Sequence, residues 1–381
     1  MNLEELRKQM DSADAELLKQ FERRMDVAAQ IAEYKRDNGL PVLDAGRERQ
    51  KLAELTGMAQ EDKKQYVSVL YALLFELSRS AQQRLLNQGT ALTAQIAAAI
   101  ENTPKLFPAY PAVACQGVEG AYSQQACDKL FRTPSILYFH NFQGVFAAID
   151  SGMCQYGVLP VENSTAGSVN EIYDLMMEYR FHIVRSTRLK VDHNLLAKAG
   201  VKVENIRRIY SHAQAISQCA GFLSTLDKDV KITAVSNTAL AAEMVAQSGR
   251  TDVAALSSRS CIDLYGLKAL KRSVQDQGNN YTRFICISKN LEIYPGSNHT
   301  SIMLTTAHKP GALYKLLARF YALGINVTKL ESRPIPDRDF EFMFYFDLET
   351  SIYSDEFIQM ICELSANTED FAYLGSYSEV V

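Results

Sequence analysis

Apolar residues in the first part of the chain recur three and four apart: Leu3, Leu6, Met10, Ala13, Leu17, Phe21, Met25, Ala28 and Ala32. That spacing predicts one long helix with an apolar seam. The pattern persists to about Asp37, where Asn38-Gly39 ahead of Pro41 ends it. At 1.5 Å per residue such a helix extends roughly 50 Å. Two more helices are expected, near Arg47–Leu55 and Asp62–Leu86. They are too few to cover so long a seam, so a second copy is expected to supply the missing surface in a dimer of intertwined helices.

Pro104, Pro108 and Pro111 mark a linker over 101–111, because proline at that density resists both helix and sheet. Over 112–290 short β-rich runs (Ala112–Cys115, Ser135–Phe139, Gly157–Val161, Arg208–Tyr210, Lys231–Val235, Val253–Leu256, Arg283–Ser288) alternate with helical stretches (Ser123–Phe131, Val145–Ile149, Val169–Tyr179, Ala213–Leu223, Thr238–Gln247). This predicts an α/β fold with mainly parallel sheet, a return strand within Phe181–Leu196, and two lobes flanking a cleft. Over 298–378 the order becomes strand, helix, strand, strand, helix, strand: Ser301–Thr305, Gly311–Leu323, Asn326–Ser332, Phe340–Leu348, Asp355–Ala366 and Phe371–Tyr377. That is the ferredoxin-like βαββαβ plan. The expected fold is thus multidomain, with an all-α segment over 1–100 ahead of these two.

Composition narrows the function. The 381 residues suffice for two or three domains. Hydrophobic residues at 47% and charged residues at 22% are ordinary globular usage. Forty Lys+Arg against 44 Asp+Glu give a net charge of −4, which argues against nucleic acid or an anionic membrane as partner. The seven cysteines show no C-x-x-C or Cys/His spacing, so neither a metal nor a disulfide framework is expected. The N-terminus is charged and helical rather than a signal sequence, and the uncharged run Leu85–Ile100 holds too many polar residues to span a membrane. A cytoplasmic protein with reduced thiols is expected.

On the first helix Arg24 and Lys35 stand eleven residues apart and point within roughly 20° of one another. Arg7 faces some 100° away at about 100° per residue, and joins them only from a neighbouring subunit. Ser78 and Gln82 share a face at i,i+4. Basic residues on a long helix are by themselves usually just solvated. The series L-x-x-L-R-x-x-M-D-x-x-D-x-x-L-L from Leu3, E-R-R at Glu22, A-x-x-I-A-x-Y-K ending at Lys35, P-V-x-D-x-x-R-E from Pro41 and S-x-x-x-Q from Ser78 resembles the all-helical chorismate mutase family over 1–88. The resemblance implies a chorismate pocket of Arg7 (from the partner), Arg24, Lys35, Asp44, Arg47, Glu48, Ser78 and Gln82. The arginines would fork onto two carboxylates, Lys35 and Gln82 would hold the ether oxygen, and Glu48 would accept the substrate hydroxyl.

Polar residues cluster at four strand ends in the α/β region: Gly157–Val169 (GVLPVENSTAGSV), Ser211-His212-x-Gln214 with Gln218, Ser236-Asn237-Thr238, and Asn279–Phe284 (NNYTRF). Strand ends are where α/β folds hold ligands, although each cluster alone reads as readily as a cap or turn. The Gln116-Gly117-x-x-Gly120-x-Tyr122-Ser123 turn is neither a dinucleotide nor a P-loop motif. Together the clusters resemble prephenate dehydratase over 112–290. That implies a two-lobed fold like periplasmic solute-binding proteins, with the site in the cleft. It implies Thr282 as acid or proton relay, Arg283 beside it binding a carboxylate, and Asn163, Ser211 and Gln218 positioning prephenate, with Ser164, Thr165, Gln214 and Thr238 as neighbours. Ala213 departs from the family's S-H-P-Q. His182, His193 and His212 show no partner pattern and are read as structural or surface residues.

Lys309-Pro310-Gly311-Ala312-Leu313-Tyr314 opens a helix whose first N–H groups suit a carboxylate. With Gly324–Pro334 it resembles the ACT regulatory domain, which implies phenylalanine bound between subunits by Gly311, Ala312, Leu313, Asn326, Glu331, Ser332, Arg333 and Pro334. Tyr314 departs from the frequent valine. The resemblances jointly imply a bifunctional chorismate mutase–prephenate dehydratase, making phenylpyruvate from chorismate without cofactor or metal, inhibited by L-Phe, as a homodimer or higher homo-oligomer. The alternatives are an arogenate-preferring dehydratase fused to the mutase, or a non-catalytic amino-acid-responsive solute-binding module.

Overall fold

The computed structural model describes residues 2–86, 90–335, 338, 341–368 and 370–381. The chain forms two compact units, Met1–Ala94 with Gln359–Asn367, and Gln95–Ile358 with Thr368–Val381.

In the first unit α1 (Leu3–Asp37) starts at a reciprocal capping box, with Asn2 accepting from the Glu5 amide and Glu5 from the Asn2 amide. It stops where expected, at Asn38 and a left-handed Gly39 (φ +64°). Then come α2 (Ala45–Met58) and α3 (Lys64–Leu86), and α4 (Ala91–Asn102) runs on past the end of this unit at Ala94. The fourth helix corrects the expectation of only two after the first. Its alanine-rich sequence carries no alternation of apolar and charged residues, so propensity rather than pattern makes it helical. It also takes Glu101 and Asn102 out of the expected linker. Ala28 and Ala32 are the buried residues of α1, while Leu3, Leu6, Met10 and Leu17 are 44–64% exposed.

The second unit holds β1 (Ala112–Gln116), α5 (Tyr122–Leu130), β2 (Ser135–Phe139), α6 (Phe142–Asp150), β3 (Tyr156–Asn163), β4 (Gly167–Ser168), α7 (Asn170–Tyr179), β5 (His182–Lys190), β6 (Asn194–Ala197), β7 (Arg208–His212), α8 (Ala213–Gln218), α9 (Ala220–Ser224), β8 (Lys231–Val235), α10 (Thr238–Gln247), β9 (Val253–Ser257), α11 (Ser260–Tyr265), β10 (Lys268–Lys271) and β11 (Tyr281–Ser288). Strands β10-β6-β9-β7-β8 form one sheet, and β5-β11-β3-β1-β2 belong to the other. The expectation of mainly parallel sheet is corrected. Parallel pairing joins only β1, β2 and β3 in one lobe and β7, β8 and β9 in the other, while β11 is inserted antiparallel between β3 and β5, and β6 between β9 and β10. The chain passes between the lobes twice, over 191–193 and 272–280. The crossovers are tied by the Val191 amide on Asn280 O (2.8 Å) and the Val274 amide on His193 O (2.8 Å).

The rest is β12 (His299–Thr305), α12 (Ala312–Ala322), β13 (Asn326–Pro334), β14 (Phe342–Glu349), α13 (Asp355–Asn367) and β15 (Phe371–Val380), in the expected order of strands and helices. Phe340, the expected start of the third of these strands, lies outside the described residues. The sheet order is β13-β14-β12-β15, and β15 continues it by pairing parallel with β5, Ser378 opposite Arg185. Residues Met303, Met343, Tyr345 and Tyr377 share a hydrophobic core with Ile172, Tyr173, Ile285 and Ile287. One face of the C-terminal sheet therefore rests on the lobe that carries β3 and β11.

Candidate active sites

Among the helices Arg24 donates from Nη1 to Leu74 O (2.8 Å) and to Ser78 Oγ, with its guanidinium 5.6 Å from the centre of the Phe75 ring. Burial lowers its pKa from the ordinary arginine value, which marks a cation partly removed from water. Ser78 and Gln82 are each 7% exposed, and Gln82 Oε1 is buried without a hydrogen-bond partner. An unpaired buried amide oxygen costs about 1–3 kcal/mol until something meets it. Lys35 Nζ donates to Val42 O (2.5 Å). Asp44 caps α2 by accepting from the Arg47 amide (2.9 Å). Glu48 is engaged by Arg79 (Nη1 to Oε1, 2.5 Å), which also reaches Glu76 (2.6 Å). Arg79 was missed in the sequence, where nothing separates it from a solvated helix arginine. Arg7 is exposed on the unburied half of α1.

Between the lobes a closed hydrogen-bonded ring joins three of the polar corners. Asn163 Nδ2 donates to Asn280 Oδ1 (2.7 Å), Asn280 Nδ2 to Gln218 Oε1 (3.0 Å), Gln218 Nε2 to Thr165 Oγ1 (2.8 Å), and Thr165 Oγ1 back to Asn163 Oδ1 (2.8 Å). Asn163 Nδ2 also donates to Thr282 Oγ1 (2.9 Å), so Thr282 spends a lone pair and keeps its proton. A cavity of about 570 Å³ is lined by Ser164, Thr165, Gln214, Gln218, Gln275 and Asn280 among others. Asn163 lies one hydrogen bond behind that lining and Thr282 one further. Ser164 closes the corner by accepting from the Tyr281 amide (2.9 Å).

Other expected residues stand apart from the ring. Ser211 is fully buried and donates to Leu256 O (2.8 Å). Thr238 opens α10 behind the Asn237 cap, and its carbonyl accepts from Ser257. Arg283 is the clear correction. Strand alternation sends it to the face opposite Thr282, where it pairs with Asp347 of β14 and donates to Tyr377 Oη (2.7 Å). Burial alone would depress this guanidinium, but the neighbouring tyrosine hydroxyls and the Asp347 carboxylate hold it above the ordinary value. The Gly117–Gly120 turn is a packing joint, since a Cβ on Gly120 would lie 2.9 Å from Leu264.

Two residues were under-read. Asn280, quoted in its motif but given no role, closes the ring. His193, read as structural, stands with Nε2 3.0 Å from Gln218 Oε1. His212 caps α8 by accepting from the Gln214 amide (3.3 Å). Among the described residues no group of three His, Cys, Asp or Glu could hold a metal.

The same alternation divides the expected effector stretch. Arg333 forks onto Asp174 of α7 (2.9 and 2.8 Å), and Glu331 accepts from Ser168 Oγ. Lys329 joins this row, donating to Glu162 Oε1 (3.0 Å) and Ser168 Oγ (2.7 Å). Asn326, Ser332 and Pro334 lie on the other, exposed face. Gly311 is left-handed (φ +81°), and α12 starts without a side-chain cap.

A chorismate mutase type II profile matches residues 6–83, and a prephenate dehydratase profile matches 113–292. The bifunctional chorismate mutase/prephenate dehydratase of Escherichia coli (strain K12) is 30% identical over 98% of this chain and 95% of its own. The chloroplastic arogenate dehydratase/prephenate dehydratase 2 of Arabidopsis thaliana is 37% identical over 70% of this chain and 72% of its own. Among solved structures, prephenate dehydratase from Arthrobacter aurescens in complex with L-Phe aligns with 70% of this chain and 89% of its own, at TM-score 0.64 and 23% identity. A protein described as GqqA, a novel type of quorum quenching acylase, aligns with 70% of this chain and 97% of its own, at TM-score 0.63 and 33% identity.

Proposed function

This chain belongs to the bifunctional chorismate mutase/prephenate dehydratase family, and from that membership we propose which of its residues perform the two reactions and how they are regulated. It rearranges chorismate to prephenate, then removes water and CO2 from prephenate to give phenylpyruvate.

For the mutase we assign Arg24, Lys35, Arg47, Ser78 and Gln82 to the dianionic substrate, with Asp44 setting the start of α2. The rearrangement needs no nucleophile, only a clamp on the bent conformer and a donor at the ether oxygen. Lys35 supplies that donor, and the Gln82 amide, whose Oε1 is buried without a partner, supplies a second once it turns its NH2 inward. Arg79 holds the Glu48 carboxylate in place to accept the substrate hydroxyl. Arg7 completes the pocket from a partner, because the exposed apolar half of α1 calls for a second copy. Sedimentation should therefore give a dimer or a multiple of one.

For the dehydratase we assign Thr282 as the acid. The bond between the ring and its carboxylate breaks, its electrons make the ring aromatic, and the hydroxyl leaves with the Thr282 proton as water. Asn163, donating to Oγ1, stabilises the negative charge left on threonine. Solvent then restores the proton. The single observation that supports this reading is the hydrogen bond from Asn163, a member of a closed polar ring, to Thr282.

We read residues 298–378 as a ferredoxin-like ACT domain that binds L-Phe at the uncapped start of α12, Gly311–Leu313, with Asn326, Ser332 and Pro334. We read the chain as cytoplasmic, all seven cysteines being buried free thiols. The test is purified protein with chorismate, following prephenate and phenylpyruvate separately with and without millimolar L-Phe, and arogenate offered in parallel. Accumulation of prephenate without phenylpyruvate would reject the dehydratase assignment, and indifference to L-Phe would reject the sensor.

A further inference from the structure

The ring around Asn163 has a direction, and the backbone sets it. Asn163 Oδ1 accepts from the amides of Thr165 (3.1 Å) and Ala166 (2.9 Å), groups that can only donate. Its NH2 must then face Asn280 Oδ1 and Thr282 Oγ1, with no freedom to flip. Asn280 accepts there, so its own NH2 meets Gln218 Oε1. Gln218, accepting through Oε1, must donate through Nε2 to Thr165. One further group meets Gln218 Oε1, the Nε2 of His193 at 3.0 Å. Facing an acceptor, that nitrogen must carry the proton, and Nδ1, buried without a partner, is the bare one.

On the dehydratase reading above, we propose that His193 is a positioning residue for dehydration. Its Nε2–H fills the second lone pair of Gln218 Oε1 and keeps that amide in the ring. The chain of donors then runs from Gln218 through Thr165 and Asn163 and ends on Thr282 Oγ1. The Thr282 proton meets no acceptor among the described residues and is left for the substrate. Without the His193 donor, Gln218 loses one of the two donors that hold its Oε1 in the ring and can swing into the cavity it lines. His193 is well placed to be rigid. It is 3% exposed, its amide donates to Gln275 Oε1 (3.0 Å), and its carbonyl accepts from Val274 on the other crossover. It therefore ties the ring to the two crossovers that join the lobes.

The test compares His193→Phe, His193→Gln and His193→Asn in the full chain, measuring kcat and KM on prephenate, with mutase turnover of the same sample as the folding control. Phe keeps a ring but no donor, and its kcat should fall about tenfold or more with KM within about threefold. Gln can set an amide nitrogen where Nε2 stands and should recover to within about threefold of wild type. Asn reaches only the Nδ1 position and should not recover. Wild-type kcat in His193→Phe, or equal kcat in the Gln and Asn variants, would overturn the proposal. If His193→Phe loses mutase turnover as well, the Gln and Asn pair decides alone. Failure of the unmodified chain to turn over prephenate would fell the dehydratase reading instead.

Discussion

A threonine hydroxyl is a poor acid, so Thr282 works only through what surrounds it. The Asn163 amide, held by two backbone N–H groups, meets any charge that develops on Oγ1 with a donor already in place. Thr282→Ala should lower dehydration by about 100-fold or more and spare the mutase, while Thr282→Ser keeps most of the turnover. Equal loss of both activities in Thr282→Ala would mean misfolding. Acid should also separate the two activities. Burial lowers the pKa of His182, His193 and His212 from 6.5, and for His193 the hydrogen bond to Gln218 and the Asp192 carboxylate oppose this only in part. A histidine with a depressed folded pKa binds fewer protons folded than unfolded, so its burden is absent above 6.5 and grows as pH falls towards the folded pKa. No histidine precedes His140. Between pH 7 and pH 5 dehydratase turnover and its thermal transition should therefore fall before mutase turnover does, and a parallel decline of the two would contradict this. At this scale the strand-end motifs brought Asn163, Thr165, Gln218 and Thr282 into view. The partners were not legible, because the bonds that give His193 and Asn280 their roles join residues 25 and 62 positions away.

Whole elements obey a two-residue rule that residue motifs conceal. Thr282 and Arg283 are adjacent in sequence, yet β11 turns one towards the ring and the other towards Asp347. Strand β13 likewise turns Lys329, Glu331 and Arg333 onto the dehydratase lobe and leaves Ser332 and Pro334 outside. The hydrophobic pattern located both strands to within two residues at one end, leaving Thr282 just outside the first, and a motif written as consecutive letters merges two faces. The consequence is testable. Lys329 bonds Glu162, the neighbour of Asn163, and Arg333 forks onto Asp174 of the helix that follows β4. If residues 298–378 act as the proposed sensor, this row would be the link by which an occupied effector site biases the ring. Arg333→Ala should leave L-Phe affinity, measured by calorimetry without prephenate, within about threefold while inhibition of dehydration weakens by about tenfold. Loss of L-Phe binding itself would return Arg333 to the ligand site. In the helices the seam pattern gave α1 its full length, and α4 escaped because its run of alanine carries no periodic signal.

At the scale of the molecule the unanticipated feature is that β15 pairs with β5, so the C-terminal sheet and one dehydratase lobe share a single ladder of backbone hydrogen bonds. Alternation and turn signals identify strands but do not say which edges meet across about 190 residues of chain, since nothing local distinguishes a paired edge from a free one. The junction is guarded by one glycine. Gly375 has φ +123°, and a Cβ there would stand 2.6 Å from the Ile183 carbonyl oxygen, a backbone atom of β5 that cannot swing aside. Gly375→Ala therefore carries both a left-handed penalty of about 1–3 kcal/mol and the cost of pushing two strands apart. Strand β5 pairs with β11, which carries Arg283, and Tyr377 of β15 accepts from that guanidinium, so the change falls on the face behind the ring and not on the helices of the mutase. Calorimetry should show the dehydratase transition lowered, with L-Phe inhibition weakened and mutase turnover kept. An unchanged transition would mean that β15 and β5 part easily in solution, and would leave the β13 row as the sole route for the proposed L-Phe signal.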